Sequence, residues 1–373
     1  MHEIKIYNAR GVSKINYIDE DYINKLKQGL PNYNLLIIDS NIKAYENDLY
    51  QLCISKTSKV IELKGGELIK RVDSLFEMLN KIENLDIHPL DRTLVVGGGT
   101  IQDVSATCLG LIKRGTYWDF IPTTILAQCD SCIGSKTSIN AFGSKNLYGL
   151  FNAPNNIYVI NSIAINQTDE ELFSGFGDAL HYLFLDPKKE HDYIKSLIKE
   201  ISDNGIKNTF KKPRKIIKLA SHCHLIKKVY VEIDEFDQNE RKLLNLGHSF
   251  GHALEKLYSL EMPHGIAVMH GIYMAYYLDN FINSGHMNIQ NNSTTNLIKS
   301  LLMLINSKTS FKVKDVQKQI SMNIDLYLNI LKKDKKNHNN YYVLVSLSMN
   351  GCQLVELTKE SLKLFLKELY IIL

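Results

Sequence analysis

The stretch Thr93-Leu-Val-Val-Gly-Gly-Gly-Thr-Ile-Gln-Asp103 is an apolar strand pattern that runs through three glycines into a helical pattern. Glycines at a strand-to-helix turn let main-chain amides approach a phosphate, which would also meet the positive end of the helix. The full dinucleotide fingerprint Gly-x-Gly-x-x-Gly is absent, because position 102 is Gln. On spacing alone the stretch predicts either a nucleotide-binding turn or a plain tight turn in an α/β fold.

The segments around this stretch extend the alternation of strands and helices. Short apolar runs typical of strands occupy 35–39, 58–63 and 118–126. One stretch with apolar residues at helical spacing occupies 68–87. Such alternation predicts a parallel sheet covered by helices. A polar, glycine-containing segment follows at 130–146, and its two lysines and two asparagines favour binding of an anion over a solvated surface.

From about residue 166 helical patterns dominate. They occupy 170–185, 213–228, 243–260, 268–281, 296–305, 313–320, 324–331 and 360–372, with one late strand pattern at 343–347. The predicted fold class is therefore α/β plus all-α, with an amino-terminal α/β domain over residues 1–165 and a helical domain over residues 166–373. A cleft between two such domains is a common place for a ligand site.

Three histidines lie close together in the helical half. His248 and His252 are four residues apart in Leu244-Asn-Leu-Gly-His-Ser-Phe-Gly-His-Ala-Leu-Glu255, so on a helix they share one face, and His264 follows in Pro263-His-Gly265. The protease zinc pattern is excluded, because it needs a glutamate where Ser249 stands. The spacing leaves two interpretations open, a metal or substrate site and a set of structural histidines.

Composition excludes several classes of function. The length of 373 residues exceeds what one core usually supports, and 45% hydrophobic with 23% charged residues is ordinary globular composition. A net charge of +4, from 44 basic and 40 acidic residues, is too small to indicate a nucleic-acid partner. Six cysteines without a paired framework, no signal-peptide core and no run of about 18 apolar residues predict a cytoplasmic protein without a membrane partner.

Several blocks along nearly the whole chain resemble 3-dehydroquinate synthase and the wider sugar-phosphate cyclase family. They are Gly97-Gly-Gly-Thr-Ile-Gln-Asp103, Lys113-Arg-Gly115, Pro122-Thr-Thr-Ile-Leu126, Asp130-Ser-Cys-Ile-Gly-Ser-Lys-Thr-Ser-Ile-Asn140, Ser144-Lys-Asn146, Ser174-Gly-Phe-Gly-Asp178, Arg241-Lys-Leu-Leu-Asn-Leu-Gly-His-Ser-Phe-Gly-His252, His264-Gly265 and Asp334-Lys-Lys336. The resemblance implies a Rossmann-like NAD-binding domain followed by a helical metal-binding domain. It also implies NAD and one divalent metal, zinc or alternatively cobalt, a sugar-phosphate substrate and a homodimer.

The resemblance also implies roles for individual residues. The residues implied to hold NAD are Asp39, Asn41, Gly66, Glu67, Lys70, Gly98, Gly99, Asp103, Thr123, Thr124, Asp130, Lys136 and Lys145. The implied metal ligands are Asp178, His248 and His264. The family pattern assigns His252 to the substrate phosphate and not to the metal. The implied catalytic and substrate-binding residues are Lys136, His252, Arg241, Asp130, Lys227, Asn146, Arg114 from a neighbouring subunit, His181, Asn245 and Lys336.

Three positions depart from the family pattern and bear on the substrate. Asp178 replaces the metal-binding glutamate, His181 replaces a lysine, and Ile266 replaces a glutamate. Arg241 is kept, and its guanidinium suits a substrate carboxylate. The implied activity is 3-dehydroquinate synthesis, a shikimate-pathway step from 3-deoxy-arabino-heptulosonate 7-phosphate. The alternatives are a cyclase acting on sedoheptulose 7-phosphate or glucose 6-phosphate, a metal-dependent polyol dehydrogenase, and a non-catalytic NAD-binding protein.

Overall fold

The computed structural model of the chain describes residues 3–286, 292–334, 337 and 341–373. The chain divides into two compact units. Unit 1 comprises Met1–Gln167 and Phe210–Phe236, and unit 2 comprises Thr168–Thr209 and Asp237–Leu373. Among the described residues, no helix combines the length and the apolar character that crossing a bilayer requires.

The strands form one large sheet and two hairpins. They are β1 Glu3–Asn8, β2 Gly11–Ile18, β3 Tyr33–Asp39, β4 Thr57–Leu63, β5 Arg92–Gly97, β6 Tyr117–Pro122, β7 Ile139–Ala141, β8 Ser144–Tyr148, β9 Asn156–Ile160, β10 Tyr342–Ser348 and β11 Gly351–Leu357. The seven-stranded sheet of unit 1 has the order β1-β2-β9-β6-β5-β3-β4. Only its β1–β2 pair is antiparallel.

The helices lie between these strands in unit 1 and dominate unit 2. They are α1 Tyr22–Gly29, α2 Ile42–Tyr45, α3 Asn47–Ser55, α4 Val72–Glu83, α5 Gly99–Leu111, α6 Asp169–Leu185, α7 Pro187–Asn204, α8 Ile206–Lys211, α9 Lys215–Ile233, α10 His248–Leu257, α11 His264–Ser284, α12 Ser293–Lys308, α13 Val313–Met322, α14 Ile324–Lys332 and α15 Lys359–Ile372. This parallel-rich sheet and helical second unit confirm the predicted fold class.

The core of unit 1 is built from the central parallel strands. Residues 35–38 of β3 and 94–96 of β5 are fully buried, as strands covered on both faces require. Apolar side chains of α1 and α3 pack against this layer, among them Leu26, Leu49 and Cys53. The carboxyl ends of β3, β5 and β6 therefore lie at one edge of the sheet, which is where ligand sites form in open α/β sheets.

The division of the chain differs from the expected boundary at residue 165. The sequence pattern predicts α9 in the second domain, whereas the structure includes it in unit 1. The reason is non-local: His224 contacts Tyr17 at 2.7 Å and Lys227 contacts Asp130 at 2.6 Å. A helical pattern in the sequence does not reveal such partners.

Unit 2 is organised around α11. This helix is buried on nearly every side over 265–279, and it packs against α6, α10 and β10. A capping box at Thr168 and Glu171 fixes the beginning of α6, because each side chain accepts from the main-chain amide of the other residue. The three helices α6, α10 and α11 carry the histidines and the carboxylate singled out in the sequence.

Candidate active site

The three predicted metal ligands converge in unit 2. The Oδ1 atom of Asp178 on α6 lies 3.4 Å from the Nε2 atoms of both His248 and His264. His248 and His264 are the first residues of α10 and α11. One donor atom from each of the three residues lies within 4.8 Å of the other two. Two imidazole nitrogens and one carboxylate oxygen are donors that zinc and cobalt accept.

The charge distribution around Asp178 fits a bound cation. Burial alone would raise the pKa of Asp178, but the imidazoles of His264 and His248 hold it well below its usual range. Its Oδ1 atom is buried and accepts no hydrogen bond among the described residues. A buried carboxylate oxygen without a hydrogen bond is costly unless a cation completes its surroundings. The three residues therefore fit a divalent metal.

Both imidazoles are oriented by an oxygen on the far side of the ring. His248 donates from Nδ1 to the main-chain carbonyl of Leu246 at 3.2 Å. His264 donates from Nδ1 to Oε2 of Glu255 at 3.0 Å. Since Nδ1 carries a proton in each case, Nε2 is the ring nitrogen that faces Asp178 and can bind a metal once it is unprotonated. Burial alone would lower the pKa of His264, but Asp178 and Glu255 raise it well above its usual value.

Glycines let the three helices approach closely at this point. A β-carbon at Gly177 would lie 2.0 Å from the carbonyl oxygen of Gly265, and one at Gly265 would lie 1.6 Å from that of Ser174. Gly247, at φ +77°, precedes His248, and its carbonyl oxygen would lie 1.9 Å from a β-carbon at Gly271. The close backbone approach suits the shorter side chain of Asp178, since an aspartate reaches one methylene less far than a glutamate.

Asp178, His248 and His264 together are called the donor set below, and two further histidines lie beside it. The ring of His181 is buried and meets the ring of His248 edge to face, with centroids 4.6 Å apart. The exposed ring of His252 stacks on His264 with centroids 5.4 Å apart. His181, His248, His252 and His264 thus form one cluster of imidazoles, which the spacing analysis only partly anticipated. The role of His181 at the substrate stays a prediction.

Two further predicted residues of unit 2 lie just before α10. Arg241 is buried in the helical turn Glu240–Asn245, and Asn245 ends the same turn. Ser249 donates to Oδ2 of Asp334 at 3.0 Å, which ties the end of α14 to the residue after His248. Lys336 lies outside the described residues.

In unit 1 the glycine turn has the predicted strand-to-helix form. Strand β5 ends at Gly97, and α5 begins at Gly99 without a side-chain cap on its first amides. Uncapped amides at a helix start are ready donors to a phosphate, so this end of α5 fits a dinucleotide. Gln102, which interrupts the fingerprint, donates to the carbonyl of Ser131 at 2.7 Å and accepts from its hydroxyl at 2.6 Å.

A polar network in unit 1 joins residues that the resemblance gave to NAD and to phosphate. Lys70 Nζ lies 2.7 Å from Asp103 Oδ2 and 2.9 Å from Asn146 Oδ1. Ser138 lies between them, with its Oγ 3.0 Å from Asp103 Oδ2, 2.8 Å from Asn146 Oδ1 and 2.9 Å from Lys70 Nζ. Asn146 has a left-handed φ of 55°, and its amide donates to Asn140. The network fixes the β7–β8 hairpin beside Lys70.

Other predicted residues of unit 1 occupy several positions. Lys227 donates to Oδ1 and to the main-chain carbonyl of Asp130, at 2.6 and 2.9 Å. Asp39 accepts from the amides of Asn41 and Gly65, and Glu67 accepts from Asn140. Thr123 is buried and Thr124 accepts from the amide of Ala127. The exposed residues are Asn41, Gly66, Glu67, Arg114, Lys136 and Lys145.

Two residues of these arrangements had no predicted role. Glu255 closes the quoted histidine stretch, and its place one turn after His252 was the available signal. Ser138 lies inside the quoted anion-binding segment, but a serine among polar residues gave no reason to choose it. Cys129 and Cys132, whose spacing matches a redox motif, are buried thiols, and burial raises the pKa of both. Raised thiol pKa values disfavour the reactive thiolate.

Comparison with known proteins gives consistent matches over the chain. The family model described as 3-dehydroquinate synthase N-terminal matches residues 60–174, and the model described as 3-dehydroquinate synthase C-terminal matches residues 175–337. The 3-dehydroquinate synthase of Pelagibacter ubique is 31% identical over 357 residues, covering 93% of this chain and 92% of that protein. The enzyme of the same name from Macrococcus caseolyticus is 27% identical, covering 87% and 88%.

Solved structures share the fold at lower identity. A 2-deoxy-scyllo-inosose synthase complexed with carbaglucose-6-phosphate, NAD+ and Co2+ superimposes with a TM-score of 0.81 at 18% identity, covering 98% of this chain and all of that one. The 2-epi-5-epi-valiolone synthase of Streptomyces hygroscopicus subsp. jinggangensis 5008, with NAD+ and Zn2+ bound, gives 0.80 at 17% identity, covering 96% of each chain. A probable glycerol dehydrogenase from Sinorhizobium meliloti 1021 gives 0.59 at 14% identity, covering 96% of each chain.

Proposed function

The chain belongs to the 3-dehydroquinate synthase and sugar-phosphate cyclase family, whose members eliminate phosphate, and we propose that it converts 3-deoxy-arabino-heptulosonate 7-phosphate to 3-dehydroquinate. The observation that carries this proposal is the convergence of Asp178, His248 and His264 on one point. Three protein donors are the usual complement of a catalytic zinc, which keeps a position for substrate.

In this proposal Asp178, His248 and His264 hold one zinc ion. The metal, when bound, would lower the pKa of a coordinated substrate hydroxyl, and NAD, when bound, would accept a hydride and later return it. The side chains of unit 2 supply the geometry, since Oδ1 of Asp178 lies 3.4 Å from Nε2 of each of the two histidines. We expect metal binding to release the extra proton of His264, because a ligand imidazole must be neutral.

Arg241 supports a substrate with a carboxylate. A guanidinium matches a carboxylate with two parallel hydrogen bonds, and a buried arginine makes such a pair stronger than an exposed one would. Sugar phosphates without an acid group have less use for this residue. Arg241 is the feature that favours the seven-carbon keto acid phosphate over the other candidate substrates.

In unit 1 we assign NAD to the start of α5 together with the network around Lys70 and Asp103. We assign the substrate phosphate to Lys136 and Asn146, since a cation and an amide donor suit phosphate oxygens. The buried Lys227 forms an ion pair with the half-buried Asp130, and the pair holds the turn that follows β6. The contact of His252 with the substrate phosphate, the contribution of Arg114 from a neighbouring subunit and the homodimer itself stay predictions that the family resemblance implies.

A second candidate function is a cyclase acting on sedoheptulose 7-phosphate or glucose 6-phosphate. It is favoured by two departures from the family pattern at or beside the donor set, namely Asp178 in place of glutamate and the buried His181 in place of lysine. A compact imidazole against His248 removes a long cation from this region, and a substrate of different shape would match that change. A metal-dependent polyol dehydrogenase is a weaker alternative, since the family eliminates phosphate.

The test is a panel of substrates offered to the purified full-length protein with NAD and zinc. Release of inorganic phosphate is measured for the seven-carbon 3-deoxy keto acid phosphate, sedoheptulose 7-phosphate and glucose 6-phosphate, and NADH is followed by absorbance. Phosphate release from the keto acid phosphate, without accumulation of NADH, is the expected result. Release only from one of the other two supports the second candidate, and stoichiometric NADH with no phosphate supports the dehydrogenase.

A further inference from the structure

Glu255 is a buried carboxylate close to the donor set, and none of the roles above includes it as a ligand. It lies on α10, seven residues and about two helical turns after His248, with its side chain only 7% exposed. Its Oε2 atom accepts from Nδ1 of His264 at 3.0 Å. A carboxylate is rarely buried without a charged or hydrogen-bonding partner, and His264 is one such partner of Glu255.

The two ligand histidines are held by different partners. His248 donates to a neutral main-chain carbonyl, that of Leu246, whereas His264 donates to the charged carboxylate of Glu255. A carboxylate partner fixes the ring tautomer, restricts ring rotation and raises the basicity of the nitrogen that faces the metal. Glu255 also adds a second buried negative charge to that of Asp178, which favours a divalent cation electrostatically.

We propose that Glu255 is a positioning residue for the metal, acting through His264 without touching the ion. The inference rests on the proposed metal role of Asp178, His248 and His264. An alternative geometry is available in the same region, because donor atoms of His252, Glu255 and His264 also lie within 4.8 Å of one another. The positioning role is favoured because His252 is exposed, and because Oε2 of Glu255 is directed at the Nδ1–H of His264.

The experiment measures metal affinity directly, independently of turnover. Metal-free full-length protein is titrated with Zn2+ against a chromophoric chelator, and with Co2+ while the visible spectrum is recorded. Glu255→Gln keeps the size of the side chain and an oxygen that accepts from Nδ1, but removes the charge. We expect Glu255→Gln to bind Zn2+ about 10- to 100-fold more weakly, with one ion still bound and a Co2+ spectrum of unchanged type.

Matched variants separate positioning from ligation and from general charge effects. Glu261→Gln removes an exposed carboxylate just after α10 and should change the affinity less than about twofold, since an exposed charge is screened. Asp178→Asn should lose the ion. Glu255→Asp keeps the charge but withdraws the oxygen, and it provides the decisive measurement if Glu255→Gln does not fold: a weakened affinity is expected here as well.

The outcomes distinguish this inference from the proposed function. Wild-type affinity in a folded Glu255→Gln or Glu255→Asp, combined with loss of metal in Asp178→Asn, overturns the positioning role alone. Loss of the ion in Glu255→Gln, with its retention in Asp178→Asn, would place the metal on His252, Glu255 and His264 and overturn both. A wild-type protein that binds neither Zn2+ nor Co2+ overturns the proposed function itself.

Discussion

The ammonium of Lys70 lies 2.7 Å from the carboxylate of Asp103, and both side chains are largely withdrawn from solvent. Replacing Asp103 with Asn would leave this ammonium without its counter-charge. We expect Asp103→Asn to lower the free energy of unfolding of unit 1 by about 3 kcal/mol, because breaking a buried pair costs more than the pair contributes. Urea unfolding measures the change, and NAD affinity by calorimetry should fall in parallel.

The control for this variant is Glu3→Gln in the same unit. Glu3 and Lys5 form an exposed pair at 3.6 Å, which should contribute less than about 1 kcal/mol. Equal effects of the two substitutions would contradict the stabilising role of the Lys70–Asp103 pair. An unchanged affinity for NAD in Asp103→Asn would show that NAD does not bind at this network.

Removal of His248 should abolish metal binding. His248→Ala deletes one of three donors, so we expect loss of the bound ion, measured by elemental analysis, together with loss of phosphate release. In the wild-type protein, Zn2+ at about 100 times its dissociation constant should add about 2.7 kcal/mol to the free energy of unfolding. The variant should show no such increase. His286→Ala, at a position 85% exposed, is the control, and stoichiometric metal in His248→Ala would refute the donor set.

Arg241 decides between the two leading substrates. We expect Arg241→Ala to reduce kcat/KM for the keto acid phosphate by roughly 30- to 1000-fold, or about 2–4 kcal/mol, through loss of a charge-assisted bidentate pair. Arg241→Lys should recover little of this loss, since an ammonium cannot reproduce the planar fork. If a substrate without a carboxylate is turned over and Arg241→Ala leaves that rate unchanged, 3-dehydroquinate synthesis is the wrong reaction.

Two buried histidines outside the donor set should make the folded protein less stable in acid. His224 in unit 1 and His270 in unit 2 each contact a main-chain carbonyl through Nε2 and a tyrosine hydroxyl through Nδ1. Burial lowers the pKa of His224 to about 3 and that of His270 to about 4. In the unfolded chain both imidazoles titrate near 6.5. The unfolded state therefore binds more protons below about pH 6.5.

The free energy of unfolding should consequently fall as the pH is lowered from about 6.5 toward these folded values. Each imidazole contributes up to about 1.4 kcal/mol per pH unit. Urea unfolding at pH 7, 6 and 5 measures the slope, and His270→Gln should reduce the slope for unit 2 by one proton. An identical slope in wild type and His270→Gln would show that His270 becomes protonated in the folded protein.

The apolar runs and the glycine turn in the sequence predict the central strands and the helix that follows them. Residues 35–39 and 93–97 form β3 and β5, and the glycine turn leads into α5 as expected. Hairpins are harder to predict: β1 and β2 are half-exposed strands with mixed residues, and β7 and β8 lie largely within the polar, glycine-containing segment 130–146, where no strand is predicted. The sequence pattern predicts no helix over α7, although Asp186 and Pro187 form a regular helix start.

The donor set illustrates what spacing can and cannot provide. The four-residue interval predicted that His248 and His252 share a helix face, and their ring centroids are 5.5 Å apart. Spacing could not identify Asp178, which lies seventy residues earlier and reaches the histidines only because α6 packs on α11. The placement of α9 in unit 1 has the same origin, because its partners Tyr17 and Asp130 are distant in sequence.

The glycine contact between α6 and α11 limits how this protein can be re-engineered. Any other residue at Gly177 or Gly265 adds a β-carbon that collides with a main-chain carbonyl, so neither position is a useful target for directed evolution. Side-chain positions such as His181 and Ile266 lie within three residues of a ligand on the same helices and leave that crossing intact. A library aimed at a new sugar phosphate should therefore diversify residues 181 and 266, since the main-chain contact keeps the ligand-bearing helices together while the variants are sorted.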